Sequence, residues 1–80
     1  MEIIVLSQPG CGPCRFVERT LDRLGVAHEI RDVRADPEAE ELLREIFAAY
    51  HPGHRPSTPV TLIDGRPIFG TGVKEALAAA

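Results

Sequence analysis

Ile3-Ile4-Val5-Leu6-Ser7-Gln8-Pro9-Gly10-Cys11-Gly12-Pro13-Cys14-Arg15-Phe16 is the stretch from which the rest of the chain can be read. The apolar run Ile3-Ile4-Val5-Leu6 within residues 2–7, rich in β-branched types, predicts a strand buried on both faces and so central in a parallel or mixed sheet. Pro9-Gly10 marks a turn. A helix is expected from Gly12, with Pro13 in its first turn, where a missing N–H costs nothing. The only two cysteines flank Gly12-Pro13 at this strand-to-helix junction. A Cys-X-X-Cys placed there points to a dithiol that cycles with a disulfide. Two cysteines three apart close only a tight loop, so a mainly structural staple is a poor explanation.

Working outward, Cys14, Val17, Leu21 and Leu24 recur at helical spacing and define the buried stripe of the first helix. Arg15, Glu18, Arg19, Asp22 and Arg23 fall on its solvated side, and Phe16, off the stripe, is expected to cover the side of the cysteine loop. Gly25 reads as a C-cap. Residues Val26 to Val33 read as a second strand, more polar and so at a sheet edge. Asp36-Pro37 caps a second helix whose apolar positions are Ala39, Leu42, Leu43, Ile46, Phe47 and Tyr50, with Glu38, Glu40 and Glu41 at its positive end. The segment His51-Pro52-Gly53-His54-Arg55-Pro56-Ser57 is a loop. Val60 to Ile63 is a third strand, Asp64-Gly65 a hairpin turn and Arg66 to Phe69 a fourth strand. Pro67 limits that strand to a short or edge position. Gly70-Thr71-Gly72 breaks the chain before a terminal helix over Val73 to Ala79.

Eighty residues, 44% hydrophobic and 26% charged, suit one globular domain over residues 1–80 that depends on its core. Net charge is -3, with no basic cluster interleaved with aromatics, so neither nucleic acid nor a charged membrane surface is an expected partner. No apolar run approaches the ~18 residues of a membrane span, and the first residues carry no basic region or long apolar run of a signal peptide. A cytoplasmic location is expected, where cysteine pairs tend to be catalytic or metal-binding. Eight of the nine basic residues are Arg, a bias that the sequence alone leaves without a function.

The order β-α-β-α-β-β-α with a Cys-X-X-Cys opening the first helix, together with Thr58-Pro59 before the third strand and a glycine-containing segment after the fourth, resembles the glutaredoxin-size thioredoxin fold. The implied architecture is α/β with a four-stranded mixed sheet. Size and layout are similar to glutaredoxins and to the redoxins that serve ribonucleotide reductase, whereas Cys11-Gly12-Pro13-Cys14 is similar to the thioredoxin tetrapeptide. Several family features are absent. There is no Trp before Cys11, Val5 stands where thioredoxins bury an Asp, and Gln8 stands where glutaredoxins often carry a Lys. Phe69-Gly70-Thr71-Gly72-Val73 keeps only one of the paired glycines that hold glutathione.

The resemblance implies an enzyme that reduces protein disulfides. Cys11, at the helix N-terminus, is the nucleophile favoured as thiolate, and Cys14, on the buried stripe, resolves the mixed disulfide. Gly12 and Pro13 set the stiffness of the loop. The tetrapeptide leans towards a reducing potential near about −270 mV rather than the about −200 to −230 mV of glutaredoxins. Base rates for X-Pro bonds favour a trans Thr58-Pro59; the resemblance implies cis. It also places Gln8, Thr58, Pro59, Gly70 and Thr71 at the substrate, with Thr58 offering its backbone as a short added strand. No bound cofactor is expected beyond the Cys11–Cys14 disulfide itself. Disulfide-containing proteins are the implied substrates, and a thioredoxin-reductase-type flavoenzyme or glutathione the implied reductant, acting on a monomer. A metal site built from Cys11, Cys14, His51 and His54 has the wrong spacing for a zinc finger, so no metal is expected. A metal-binding, redox-sensing or binding module using the same thiols is the competing reading.

Overall fold

The computed structural model describes residues 1–79, with elements β1 (Ile3–Ser7), α1 (Gly12–Arg23), β2 (Glu29–Asp32), α2 (Pro37–Tyr50), β3 (Val60–Ile63), β4 (Arg66–Phe69) and α3 (Val73–Ala79). The strands form one mixed sheet in the order β2-β1-β3-β4. β1 runs parallel to β2 and antiparallel to β3, and β3 antiparallel to β4. This is the α/β thioredoxin-like architecture implied by the sequence.

Every residue of β1 is buried, because helices cover both sheet faces. Alternation along the strand sends Ile4 and Leu6 to one side, where they pack with Leu43, Ile46 and Phe47 of α2. Ile3 and Val5 go to the other side, against Val17 and Leu21 of α1 and Val73 of α3. Both edge strands fall where polarity and Pro67 put them. On β2, Arg31 donates to Glu29 at 2.6 Å. That hydrogen bond, more than the charge of Arg31, holds the exposed Glu29 carboxyl below its ordinary range. The Asp64-Gly65 hairpin has φ of 48° and 82° at its two central residues, the left-handed pair that a two-residue turn between twisted strands requires. Asp64 also accepts from the Glu2 N–H at 2.7 Å, pinning the hairpin to the start of β1.

Three local expectations are corrected. The second strand begins at Glu29, not Val26, because residues 25–28 finish the helix turn: Gly25 takes φ 69° and the Val26 N–H bonds back to Leu21 O at 3.1 Å. Leu24 is not on the buried stripe but is the exposed C-cap of α1, at 44%. Thr20 takes the core position instead; its hydroxyl is satisfied within the helix by Phe16 O at 2.8 Å, so burial leaves no orphaned polar atom. Tyr50, in the last turn of α2, is likewise exposed and lies against Phe69 rather than in the core.

Thr61 is, with Ser7, one of the buried polar residues of the sheet. It is fully buried in central β3, and its Oγ1 has no hydrogen-bond partner among the described residues. An unsatisfied buried hydroxyl opposes folding, so the near-isosteric Thr61→Val is expected to raise unfolding stability by about 1 kcal/mol in urea titrations. A loss of stability would show that the hydroxyl finds a partner in solution.

Candidate functional site

The antiparallel register between β1 and β3 builds the site. Leu6 is opposite Val60, the last pair of the ladder. Carried two residues further, the same register sets Gln8, just after β1, opposite Thr58, just before β3. The chain leaving β1 towards the cysteines must therefore run beside the chain entering β3. The contact is direct: Gln8 Nε2 donates to Thr58 Oγ1 at 2.8 Å.

Gly10 turns the chain with φ 76° and delivers Cys11 to the N-cap of α1 in extended conformation. Cys11 and Cys14 are disulfide-bonded, their Cα atoms 5.2 Å apart. The Cys14 backbone N–H points at Cys11 Sγ, at 3.1 Å, and the Arg15 N–H closes the first turn on Cys11 O at 3.2 Å. When the disulfide opens, a thiolate at Cys11 inherits that N–H and the positive end of α1. Gly12 and Pro13 form the exposed first turn between the two sulfurs.

The two cysteines differ in access. Cys11 is half-buried, whereas Cys14 is 0% exposed, on the same helix face as Val17 and Leu21. Of the two sulfur-bearing residues only Cys11 is open to solvent, and Cys14 is desolvated and shielded. On reduction, Cys11 is expected to react with iodoacetamide at least about tenfold faster than Cys14, read by peptide mapping. Equal labelling would contradict the difference in burial.

The Thr58-Pro59 bond is cis, the reverse of the base-rate expectation and in line with the resemblance. The arrangement brings Thr58 against the dithiol, its Oγ1 3.6 Å and its carbonyl oxygen 3.8 Å from Cys11 Sγ. Pro59 is buried beneath, and Pro59 O accepts the Gly70 N–H at 3.2 Å, tying the start of β3 to the end of β4. Gly70 adopts φ 78° and shares a groove with Thr58, Pro59 and Phe47. Thr71 lies elsewhere, in a groove between α1 and α3 with Phe16, Thr20 and Leu24. Phe16 is 52% exposed and lines that groove. Gln8, Thr58 and Cys11 thus converge, Gly70 joins them through Pro59, and Thr71 stands apart.

His51 and His54 do not approach the sulfurs as ligands. His51 packs edge-on against Phe69 with ring centroids 4.5 Å apart, and His54 packs against His51 at 5.8 Å. Among the described residues no group of three or more His, Cys, Asp or Glu is placed to hold a metal ion, and no helix is long and apolar enough to cross a membrane.

Two features escape a linear reading. Arg34, Arg44 and Arg55 line one groove with Gln8 and Thr58, giving part of the arginine bias a location beside the dithiol. Ser7, at the buried end of β1, donates its hydroxyl to the Glu18 carboxylate at 3.1 Å, drawing that helix residue partly out of solvent.

A redox Cys-X-X-Cys at the tip of a helix, facing a cis-proline loop on a four-stranded mixed sheet, defines a thiol–disulfide oxidoreductase of thioredoxin-like fold. A family model for glutaredoxin matches residues 3–68, and the chain belongs to the glutaredoxin family. The gene 56 protein of Mycobacterium phage D29 is 32% identical over 69 residues, covering 85% of this chain and 70% of the phage protein. Among solved structures, the thioredoxin-like protein BC3987 is 30% identical with a TM-score of 0.74, covering 99% of this chain and 100% of that one. The dithiolic glutaredoxin of Trypanosoma brucei brucei is 28% identical with a TM-score of 0.76, covering 98% of this chain and 77% of its own.

Proposed function

We propose that the chain is a cytoplasmic, monomeric electron carrier, with residues 1–80 acting as one domain, that reduces disulfides in other proteins and is itself re-reduced by a thioredoxin-reductase-type flavoenzyme. The unequal burial of the two cysteines carries this reading. Cys11 thiolate attacks one sulfur of a substrate disulfide, forming a Cys11–substrate bond while the other substrate sulfur leaves as thiolate. Cys14, once deprotonated, attacks Cys11 Sγ, releasing the second substrate thiol and closing the Cys11–Cys14 disulfide. Two electrons pass to the substrate, and two from the flavoenzyme reopen the disulfide. Thr58 and Pro59 border the reacting sulfur, where an extended substrate segment would align with the Thr58 backbone, and Gly70 extends that border. The thioredoxin-like Gly12-Pro13 pair and the Gln8 side chain, engaged with Thr58 rather than free for a ligand, support the flavoenzyme as electron source.

Glutathione as reductant is the second reading, favoured by one observation. Arg34, Arg44 and Arg55 line the groove shared by Gln8 and Thr58; Arg44 faces Glu40 of the same groove at 3.9 Å, and the guanidinium groups of Arg34 and Arg55 suit the carboxylates of a small peptide thiol. The two readings separate in a coupled NADPH assay on a protein disulfide such as insulin. Turnover with thioredoxin reductase and at most about a tenth of that rate with glutathione and glutathione reductase is expected; the reverse ranking would transfer the assignment to glutathione. Cys14→Ser is expected to accumulate mixed disulfides through Cys11, detected on non-reducing gels and lost in the Cys11→Ser variant. A protein that traps nothing and reduces no insulin would instead be a binding or sensing module.

A further inference from the structure

The hydrogen bonds around Cys11 assign Gln8 a task beyond lining the substrate site. We infer that Gln8 is a positioning residue that orients the Thr58 hydroxyl as a donor to Cys11 Sγ, so that the pair holds the attacking sulfur in its thiolate form. This inference rests on the reading of Cys11 as the nucleophile.

Donor and acceptor inventory sets the direction of the relay. The Gln8 side-chain nitrogen only donates, so in its 2.8 Å contact Thr58 Oγ1 must accept. A hydroxyl has a single proton, and accepting from Gln8 leaves that proton free to be given elsewhere. Cys11 Sγ, 3.6 Å away, is within the range of a hydrogen bond to sulfur. The same residue also presents its carbonyl oxygen to the sulfur, at 3.8 Å. The two oxygens of Thr58 act oppositely. The carbonyl, an acceptor only, favours the protonated thiol, whereas a donating hydroxyl favours the thiolate. With the hydroxyl reversed, both oxygens would disfavour charge on Cys11. By occupying one of the two lone pairs with its N–H, Gln8 turns the hydroxyl proton away from itself and favours the orientation that donates to the sulfur.

The consequence is chemical rather than structural. In the disulfide form the Cys14 N–H and the Thr58 hydroxyl lie 3.1 and 3.6 Å from Cys11 Sγ; donated to the dithiol form, both hydrogen bonds raise its thiolate fraction near neutral pH. The donors act on the first step, in which Cys11 attacks as thiolate; in the resolving step Cys11 is the sulfur that Cys14 attacks, and the substrate sulfur leaves. Gln8 and Thr58 are far apart in sequence and are joined only by the β1–β3 register.

The relay is tested by measuring the Cys11 pKa from thiolate ultraviolet absorbance in the Cys14→Ser background, where one thiol titrates, and from the pH profile of its alkylation rate. Thr58→Val, which keeps the shape and removes the hydroxyl, is expected to raise the pKa by about one unit. Thr58→Ser is expected to restore it, and Thr58→Ala tests the same loss if valine prevents folding. Gln8→Leu is expected to raise the pKa by about half a unit alone and to have no effect when Thr58 is already valine. An unmoved pKa in the hydroxyl-free variants, or a Gln8→Leu shift of equal size with and without the hydroxyl, would overturn the relay. Neither result is confused with failure of the functional reading. That failure is wild-type protein that reduces no disulfide, whereas a relay that fails alone leaves reduction intact.

Discussion

The pairing of β1 with β3 is the constraint on which the structure depends. β1 lies between β2 and β3 with helices on both faces, so its five buried residues fix its position in the core from two sides. A one-residue slip against β3 would exchange Ile4 and Leu6 with Ile3 and Val5, moving each set to the wrong helix layer. The core therefore locks the register, and the register carries beyond the ladder to set Gln8 and Cys11 beside Thr58. A chemical contact between residues 47 positions apart follows from apolar packing well below it.

The site then works by giving two identical side chains different surroundings. Cys11 caps α1, with the Cys14 N–H and the Thr58 oxygens around its sulfur. Cys14, one turn later, falls into the interior with Val17 and Leu21. The proposed order of attack rests on that difference in burial, with Cys11 half-buried and Cys14 0% exposed. Family membership and the thioredoxin-like neighbours establish a thiol–disulfide oxidoreductase. The surroundings of the dithiol, with a glutamine and a threonine in place of a lysine and an arginine-lined groove close by, bear on which reductant it takes.

Much of this was legible in the linear sequence, for physical reasons. The apolar run of β1, the helical spacing of Cys14, Val17 and Leu21, and the Asp64-Gly65 turn are local signals that tertiary packing reinforced. Boundaries failed where a helix end and a strand start share a few residues. Val26 looks β-prone, but its N–H is used to close α1, and Leu24 fits the stripe but sits after the last helical turn. The cis Thr58-Pro59 bond is invisible to local statistics and came only through resemblance. The resemblance places Gln8, Thr58 and Gly70 at the substrate site, yet not the donor–acceptor order between Gln8 and Thr58, which needs the strand register. The resemblance groups Thr71 with them through the segment Phe69 to Val73, but the chain turns at Gly70 and carries Thr71 to the α1–α3 side. The arginine bias had no linear pattern because Arg34, Arg44 and Arg55 come from different segments and meet only in the fold.

The most direct measurement is a pH titration of the two cysteine Cβ resonances in reduced, selectively carbon-labelled wild-type protein. Cys11 is expected to ionise below the ordinary thiol value of about 8.5 and Cys14 above it, each with its own transition. Both titrating together at the ordinary value, or Cys14 ionising first, would contradict the unequal division of labour that this fold imposes on its two sulfurs.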